Sequence, residues 1–164
     1  MNTPAADLTN HAFDLQHLLA HVAGMPPIRV AVVHPCDEPS LEGALDARRA
    51  GLIEPVLVAP RAKLESVAAA AGFDLSGIAI AGQPSEKLLA RSHAAAARAA
   101  ELACAGKVEA LMKGSLHTDE LMAAVVARES GLRTKRRVSH CFVLHTPRYP
   151  RPFIVTDAAI NLAP

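Results

Sequence analysis

Between Met112 and Asp119 the chain reads Lys113-Gly114-Ser115-Leu116-His117-Thr118. A cation, a glycine, two hydroxyls and an imidazole stand where an apolar run gives way to a helix start. Backbone N–H groups at a helix N-terminus bind anions, and a lysine beside them adds charge. The chemistry on offer is phosphate binding; the competing reading is an ordinary strand–helix turn with a Thr cap and a surface lysine. The spaced glycines of a nucleoside-triphosphate loop are missing. Arg133-Thr134-Lys135-Arg136-Arg137 is the one local excess of positive charge. It suits either the phosphates of a nucleotide-like ligand or a solvated or subunit-interface patch favoured by a helix C-terminus. Ser139 and His140 alternate across a strand, so they do not form a nucleophile–base pair, and His140 is expected to be a buried, hydrogen-bonded histidine. Asp157 ends an apolar run, with Asn161 one helical turn further, either as site residues or as a helix cap. His34-Pro35-Cys36-Asp37 reads as a site-lining or capping loop with too few ligands for a metal. Cys104 reads as packing.

The elements that position these residues alternate. A leader and short helix occupy 1–27, with Leu15, Leu18, Leu19 and Val22 on one helix face. Ile28–Val33 is a continuous apolar, β-branched run, as in a strand buried on both faces. A helix follows from Asp37-Glu38-Pro39-Ser40 to about Ala50, then a strand over Val56–Ala59 and a helix over Arg61–Ala71. Ile78–Ala81 is a short strand, and Ser85 is placed to cap a long alanine-rich helix ending near Gly106. Val108–Met112 is a fourth strand. Thr118 is expected to cap a helix carrying Leu121, Met122, Val125 and Val126 and stopping at Gly131. Val138–Leu144 and Pro152–Thr156 form a hairpin, since no helix fits between them. The pattern predicts a three-layer α/β fold with a mainly parallel sheet, helices on both faces and an antiparallel hairpin near the C-terminus.

Composition narrows the function classes. The chain has 164 residues, 51% apolar but only 3% aromatic, with a net charge of +1. That length buries a real core, and the near-neutral charge and scarcity of aromatic faces argue against nucleic acid as a partner. The alanine-rich stretch is broken by Arg91, His93, Arg98 and Glu101, which excludes a membrane span there. Three widely spaced cysteines make no disulfide framework or zinc pattern, which fits a reducing cytoplasm. No Gly-x-Gly-x-x-Gly follows Val33 or Met112, which counts against a nucleotide-binding dehydrogenase.

Several short stretches taken together are more specific than any one of them. Leu111-Met112-Lys113-Gly114, His117-Thr118, Gly131-Leu132-Arg133-Thr134 and Arg137-Val138-Ser139-His140 come first. Phe142-Val143, Pro147, Tyr149-Pro150 and Ile154-Val155-Thr156-Asp157-Ala158-Ala159-Ile160-Asn161-Leu162-Ala163-Pro164 follow in order. Together they resemble the phosphate acetyltransferase/phosphate butyryltransferase family. The resemblance runs from about Ile28 onward and implies transfer of a short acyl group between coenzyme A and inorganic phosphate. It implies two α/β domains around a cleft, similar to isocitrate and isopropylmalate dehydrogenases, usually as cytoplasmic homodimers. It implies no metal and no tightly bound cofactor, with coenzyme A as substrate. On this reading 28–164 is one α/β domain of such an enzyme with the second absent, and the Ser, Arg and Asp usually given catalytic roles fall beyond Pro164. The phosphate- and substrate-binding wall then falls to Lys113, Gly114, Ser115, His117, Thr118, Ser139, Asp157 and Asn161. Arg133, Arg136 and Arg137 serve coenzyme A or a subunit interface. Lys113-Gly114 is similar to the butyryltransferase branch and to the acetyltransferase half of hydratase–transferase fusions, so the acyl group stays open. A chain holding one wall of a cleft is expected to turn over poorly by itself. The alternative is a non-catalytic oligomerising or binding domain derived from the family.

Overall fold

The computed structural model describes residues 15–82, 92–136, 138–146 and 149–156. Contacts divide the chain into two compact units, Met25–Thr134 and a second that joins Met1–Gly24 to Lys135–Pro164.

The first unit is built on strands β1 (Ile28–Val33), β2 (Ile53–Val58), β3 (Ala79–Ile80) and β4 (Ala110–Lys113), all parallel and ordered β3-β2-β1-β4. Because side chains alternate across a strand, β1 and β2 feed two separate cores. Val32, Leu57 and Ala59 pack with Leu41, Ala44 and Leu45 of α2 (Glu38–Arg49) and with Leu64 and Ala68 of α3 (Arg61–Ala71). Ala31, Val33, Val56 and Val58 face the other way, onto Ala95, Ala96 and Ala99 of α4 (Ser92–Cys104), with Leu121 and Ala124 of α5 (Thr118–Val126) packed at its margin. Helices therefore cover both faces, which is the layering the alternating pattern predicts. The first core carries most of the buried leucines and the second is mainly alanine and valine, so α4 sits against the sheet through very small side chains.

Local chemistry accounts for the boundaries. Asp37 caps α2, accepting the Ser40 N–H at 3.0 Å as well as the Ser40 hydroxyl, with Pro39 in the first turn. Gly72 ends α3 in the left-handed conformation at φ 71°. Ser85 lies outside the described residues.

In the second unit a short helix, α1 (Leu15–Val22), precedes the sheet, and an antiparallel pair, β5 (Cys141–Thr146) and β6 (Tyr149–Thr156), forms the expected hairpin. Phe142 faces Val155, Val143 faces Ile154 and Leu144 faces Phe153 across the pair. Apolar side chains occupy both faces of this ribbon and stay exposed, Val143 at 60% and Ile154 at 63%. Among the described residues no helix is long and apolar enough to cross a membrane.

Candidate active site

The sheet order creates one special place. From β1 the chain moves through α2 to β2 on one side, whereas β4 returns on the other side of β1. Between the C-terminal ends of β1 and β4 the connections leave towards opposite faces and open a crevice, where open α/β sheets receive ligands. A cleft of about 830 Å³ lies there. Lys113, Gly114, Ser115, Leu116 and His117 come to it from the end of β4, His34 and Asp37 from the end of β1, and Ser92, His93 and Glu120 from α4 and α5.

The strand ends are stitched together beyond the sheet. The Gly114 N–H donates to the Val33 carbonyl at 2.9 Å and the Ser115 N–H to the His34 carbonyl at 2.9 Å. The Ser115 hydroxyl donates to the same His34 carbonyl at 2.7 Å and accepts the Cys36 N–H at 3.0 Å. Ser115 thus spends its hydroxyl on tying the β1 and β4 loops together. Gly114 is required for that closeness: a Cβ there would lie 2.8 Å from the His34 carbonyl carbon and oxygen and nearer still to the Val33 oxygen. The Lys113 ammonium folds over its own loop, donating to the Leu116 carbonyl at 2.8 Å and to the Gly114 carbonyl at 3.2 Å. A lysine has three N–H donors, so one is left for an anion in the cleft. Burial pushes the Cys36 thiol up, against an opposing effect of Lys63, which keeps it a poor nucleophile.

His34 is 6% exposed and has a φ of 53°, the one non-glycine residue with a positive φ among the described residues. Its Nε2 is enclosed with no hydrogen-bond partner among the described residues. Burial, with help from Lys63, holds its pKa below the ordinary value of 6.5. The unfolded chain regains that ordinary value and binds the proton first, so stability is lost as pH falls below about 6.5. Asp37, held below the usual carboxylate range chiefly by the Ser40 hydroxyl, adds a loss at lower pH. The urea midpoint is therefore expected to drop between about pH 7 and pH 5. His34→Asn, which removes the titration and tolerates a left-handed backbone, flattens the upper part of that drop; an unchanged slope rules His34 out as its source.

At the start of α5 the structure corrects an expectation. Thr118 is the first helical residue, and His117 occupies the cap position with extended backbone, φ −72° and ψ 147°. Glu120 decides this, because its carboxylate reaches back to accept the His117 N–H at 3.0 Å. The same carboxylate takes the Ser92 hydroxyl at 2.9 Å and faces His93 Nδ1 at 3.1 Å. The Ser92 hydroxyl is the main reason that Glu120 titrates below the usual carboxylate range.

Of the residues singled out in the sequence, Lys113, Gly114, Ser115 and His117 converge on the cleft, and Thr118 begins the helix beside it. Arg133 is exposed in the first unit, whereas Arg136 and Ser139 are exposed in the second. His140 departs from the hydrogen-bonded histidine expected. It packs edge-on against Phe142 with ring centroids 4.0 Å apart, and its enclosed Nδ1 has no hydrogen-bond partner among the described residues. Arg137, Asp157 and Asn161 lie outside the described residues. His93 and Glu120 escaped the sequence reading because they meet only through the packing of α4 on α5; the tandem Ser92-His93 was the available signal. Among the described residues no three His, Cys, Asp or Glu side chains converge as metal ligands.

Fold and cleft together define an α/β domain of the kind that takes a small ligand at its switch point. Comparison with known proteins narrows this. A phosphate acetyltransferase from Rickettsia typhi is 47% identical over 159 residues, covering 97% of this chain and 44% of the relative. One from Rhizobium meliloti is 50% identical over 147 residues, 90% of this chain and 45% of the relative. A phosphate butyryltransferase from Clostridium acetobutylicum is 35% identical over 136 residues, 83% and 43% respectively. Solved phosphotransacetylases share the fold: one from Streptococcus pyogenes superposes with a TM-score of 0.72 at 15% identity over 93% of this chain and 54% of that one, and one from Staphylococcus aureus with 0.65 at 17% over 93% and 52%. No family model matches the chain. Over most of its length the chain is similar to members of the phosphate acetyltransferase/phosphate butyryltransferase family, as its motifs suggested, and it spans about half the length of the curated relatives it matches.

Proposed function

We propose that this chain supplies one wall of an acyltransferase that moves a short acyl group between coenzyme A and inorganic phosphate. The observation that carries the reading is identity of 46–50% to proteins named phosphate acetyltransferase over 90–99% of the chain. The named butyryltransferases covering most of the chain reach 30–35%, which favours acetyl over butyryl. In this reading 28–164 is one α/β domain, following an N-terminal leader and helix over 1–27, and the opposing wall comes from a second domain of the complete enzyme. Lys113, Gly114 and the N-terminus of α5 at His117 and Thr118 hold the phosphoryl group. Ser115 keeps the two strand ends at the spacing this requires. Ser139, Asp157 and Asn161 complete the substrate wall, and Arg133, Arg136 and Arg137 serve coenzyme A phosphates or a subunit interface. The enzyme works as a cytoplasmic homodimer, with coenzyme A as substrate rather than a tightly held cofactor.

Release of coenzyme A from acetyl-coenzyme A in the presence of phosphate tests the reading. The 164-residue polypeptide is expected near background by itself, because enclosure and convergent groups come from both walls. Addition of the complementary half of a close relative is expected to restore turnover, and failure to do so with a folded complex removes the reading. In that complex Lys113→Ala is expected to raise the phosphate KM or lower kcat by about tenfold or more, the worth of a charge-assisted hydrogen bond. Unchanged kinetics take Lys113 out of the site.

The exposed apolar ribbon β5–β6 favours a second reading, a non-catalytic module that oligomerises through that surface. Solution mass tests this second reading, since a strict monomer excludes oligomerisation of this chain by itself.

A further inference from the structure

The cleft contains a proton-handling pair that the phosphate-binding residues do not account for. Glu120 stands in the first turn of α5 and is fixed from three directions. Its Oε2 accepts the His117 N–H at 3.0 Å, and its Oε1 accepts the Ser92 hydroxyl at 2.9 Å and faces His93 Nδ1 at 3.1 Å. Glu120 is only 14% exposed along its side chain, whereas His93 is 73% exposed and lines the same cleft as Lys113 and Gly114. An ionised carboxylate can only accept, so it holds His93 as an ion pair when the imidazole is protonated, with Nδ1 turned towards Glu120. That contact orients the imidazole, leaving Nε2 as the ring nitrogen that does not face the carboxylate.

We propose that His93, oriented by Glu120, is the general acid that protonates the departing phosphate, and in the opposite direction the base that takes the proton from hydrogen phosphate. The inference rests on the acyltransferase reading above. A base on the opposing wall takes the coenzyme A thiol proton, and the thiolate pair forms the sulfur–carbon bond. The carbon–oxygen bond to phosphate breaks with its electron pair on oxygen, and that oxygen takes the proton from Nε2 of the imidazolium. Neutral His93 is then reprotonated by the proton removed from the thiol, so no net proton is gained or lost by the protein. The groups that share the cleft with His93 are Glu120 and His117 from α5, Lys113 from β4, and His34 and Asp37 from the β1 loop.

Inorganic phosphate titrated into the isotope-labelled chain, followed by nuclear magnetic resonance, tests this without turnover. Phosphate is expected to raise the His93 titration midpoint by about one pH unit or more, while the Gly114 amide shifts over the same concentration range. Glu120→Gln keeps the backward bond of the helix cap but is expected to abolish most of the His93 response and leave the Gly114 shift. His93→Gln is expected to weaken phosphate by several-fold. If Gly114 shifts and His93 titrates unchanged, the proposal is overturned and the phosphate-binding reading stands. A His93 response equally large in Glu120→Gln also overturns it. If neither residue responds at saturating phosphate, both readings fall.

Discussion

Gly114→Ala is expected to cost about 3 kcal/mol of stability and to abolish phosphate binding in the same stroke. The new methyl group would meet the Val33 oxygen and, at 2.8 Å, the carbonyl carbon and oxygen of His34. These are backbone atoms at the end of the central strand β1, and no rotamer change can move them aside. Relief requires β4 and its loop to draw away from β1. That breaks the bonds from the Gly114 and Ser115 N–H groups to Val33 and His34 and from the Ser115 hydroxyl to His34. The enclosed carbonyls then lose their partners, which adds desolvation to the steric cost. The damage falls where the cleft is, so ligand binding and stability fall together. Gly82→Ala is the control, because nothing lies within 4 Å of a Cβ there and its backbone is not left-handed. That change is expected to be neutral or slightly stabilising. Denaturant midpoints for the two variants settle the matter, and a wild-type midpoint for Gly114→Ala would mean that the strand ends can separate freely.

How much of this was legible beforehand depended on whether the signal was local. Strand β1 matches the predicted Ile28–Val33 and helix α3 the predicted Arg61–Ala71. The first is dominated by β-branched residues, with only Arg29 and Ala31 interspersed among them, and the second is bracketed by Pro60 and Gly72. Strand β2 begins three residues earlier than expected, at Ile53, because pairing of Ile28 with Ile53 and Arg29 with Glu54 recruits a margin that reads as polar loop. The cap of α5 was assigned to Thr118 on residue type, yet it went to His117, because the spacing to Glu120 outweighs the better intrinsic cap. Glycine and lysine at the end of β4 were found from chemistry at a strand end. The use of Ser115 as a tie between loops was not, since its partners His34 and Cys36 lie about eighty residues away in the chain. The Glu120–His93 pair shares that difficulty: each residue looks like an ordinary helix-surface side chain until α4 and α5 are packed.

The second large effect is expected in the leucine-lined core. Leu57 is wholly buried near the C-terminal end of β2, between β1 and β3, and packs with Val32, Leu41 and Leu64. Leu57→Ala is expected to cost about 2–5 kcal/mol, the transfer term plus the cavity it leaves. A domain of this size has about 5–15 kcal/mol in all, so the loss consumes a large part of it. The upper half of that range is favoured because the neighbours cannot close in. Leu57 sits on a strand hydrogen-bonded on both sides, and α2 and α3 are held from their own ends by Asp37 and Gly72. The opposite core responds to the opposite change: Ala96, fully buried where α4 meets Val33 and Val56, has no room for a larger side chain. Ala96→Leu is expected to lose about 1–3 kcal/mol by overpacking. It should also push α4 outwards and displace His93 from Glu120, whereas Leu57→Ala leaves that pair in place. Phosphate titration of the two variants at a temperature where both are folded separates the cases. Ala96→Leu should lose the His93 response and Leu57→Ala should keep it, and the reverse result would mean that the cleft is held by the leucine side of the sheet.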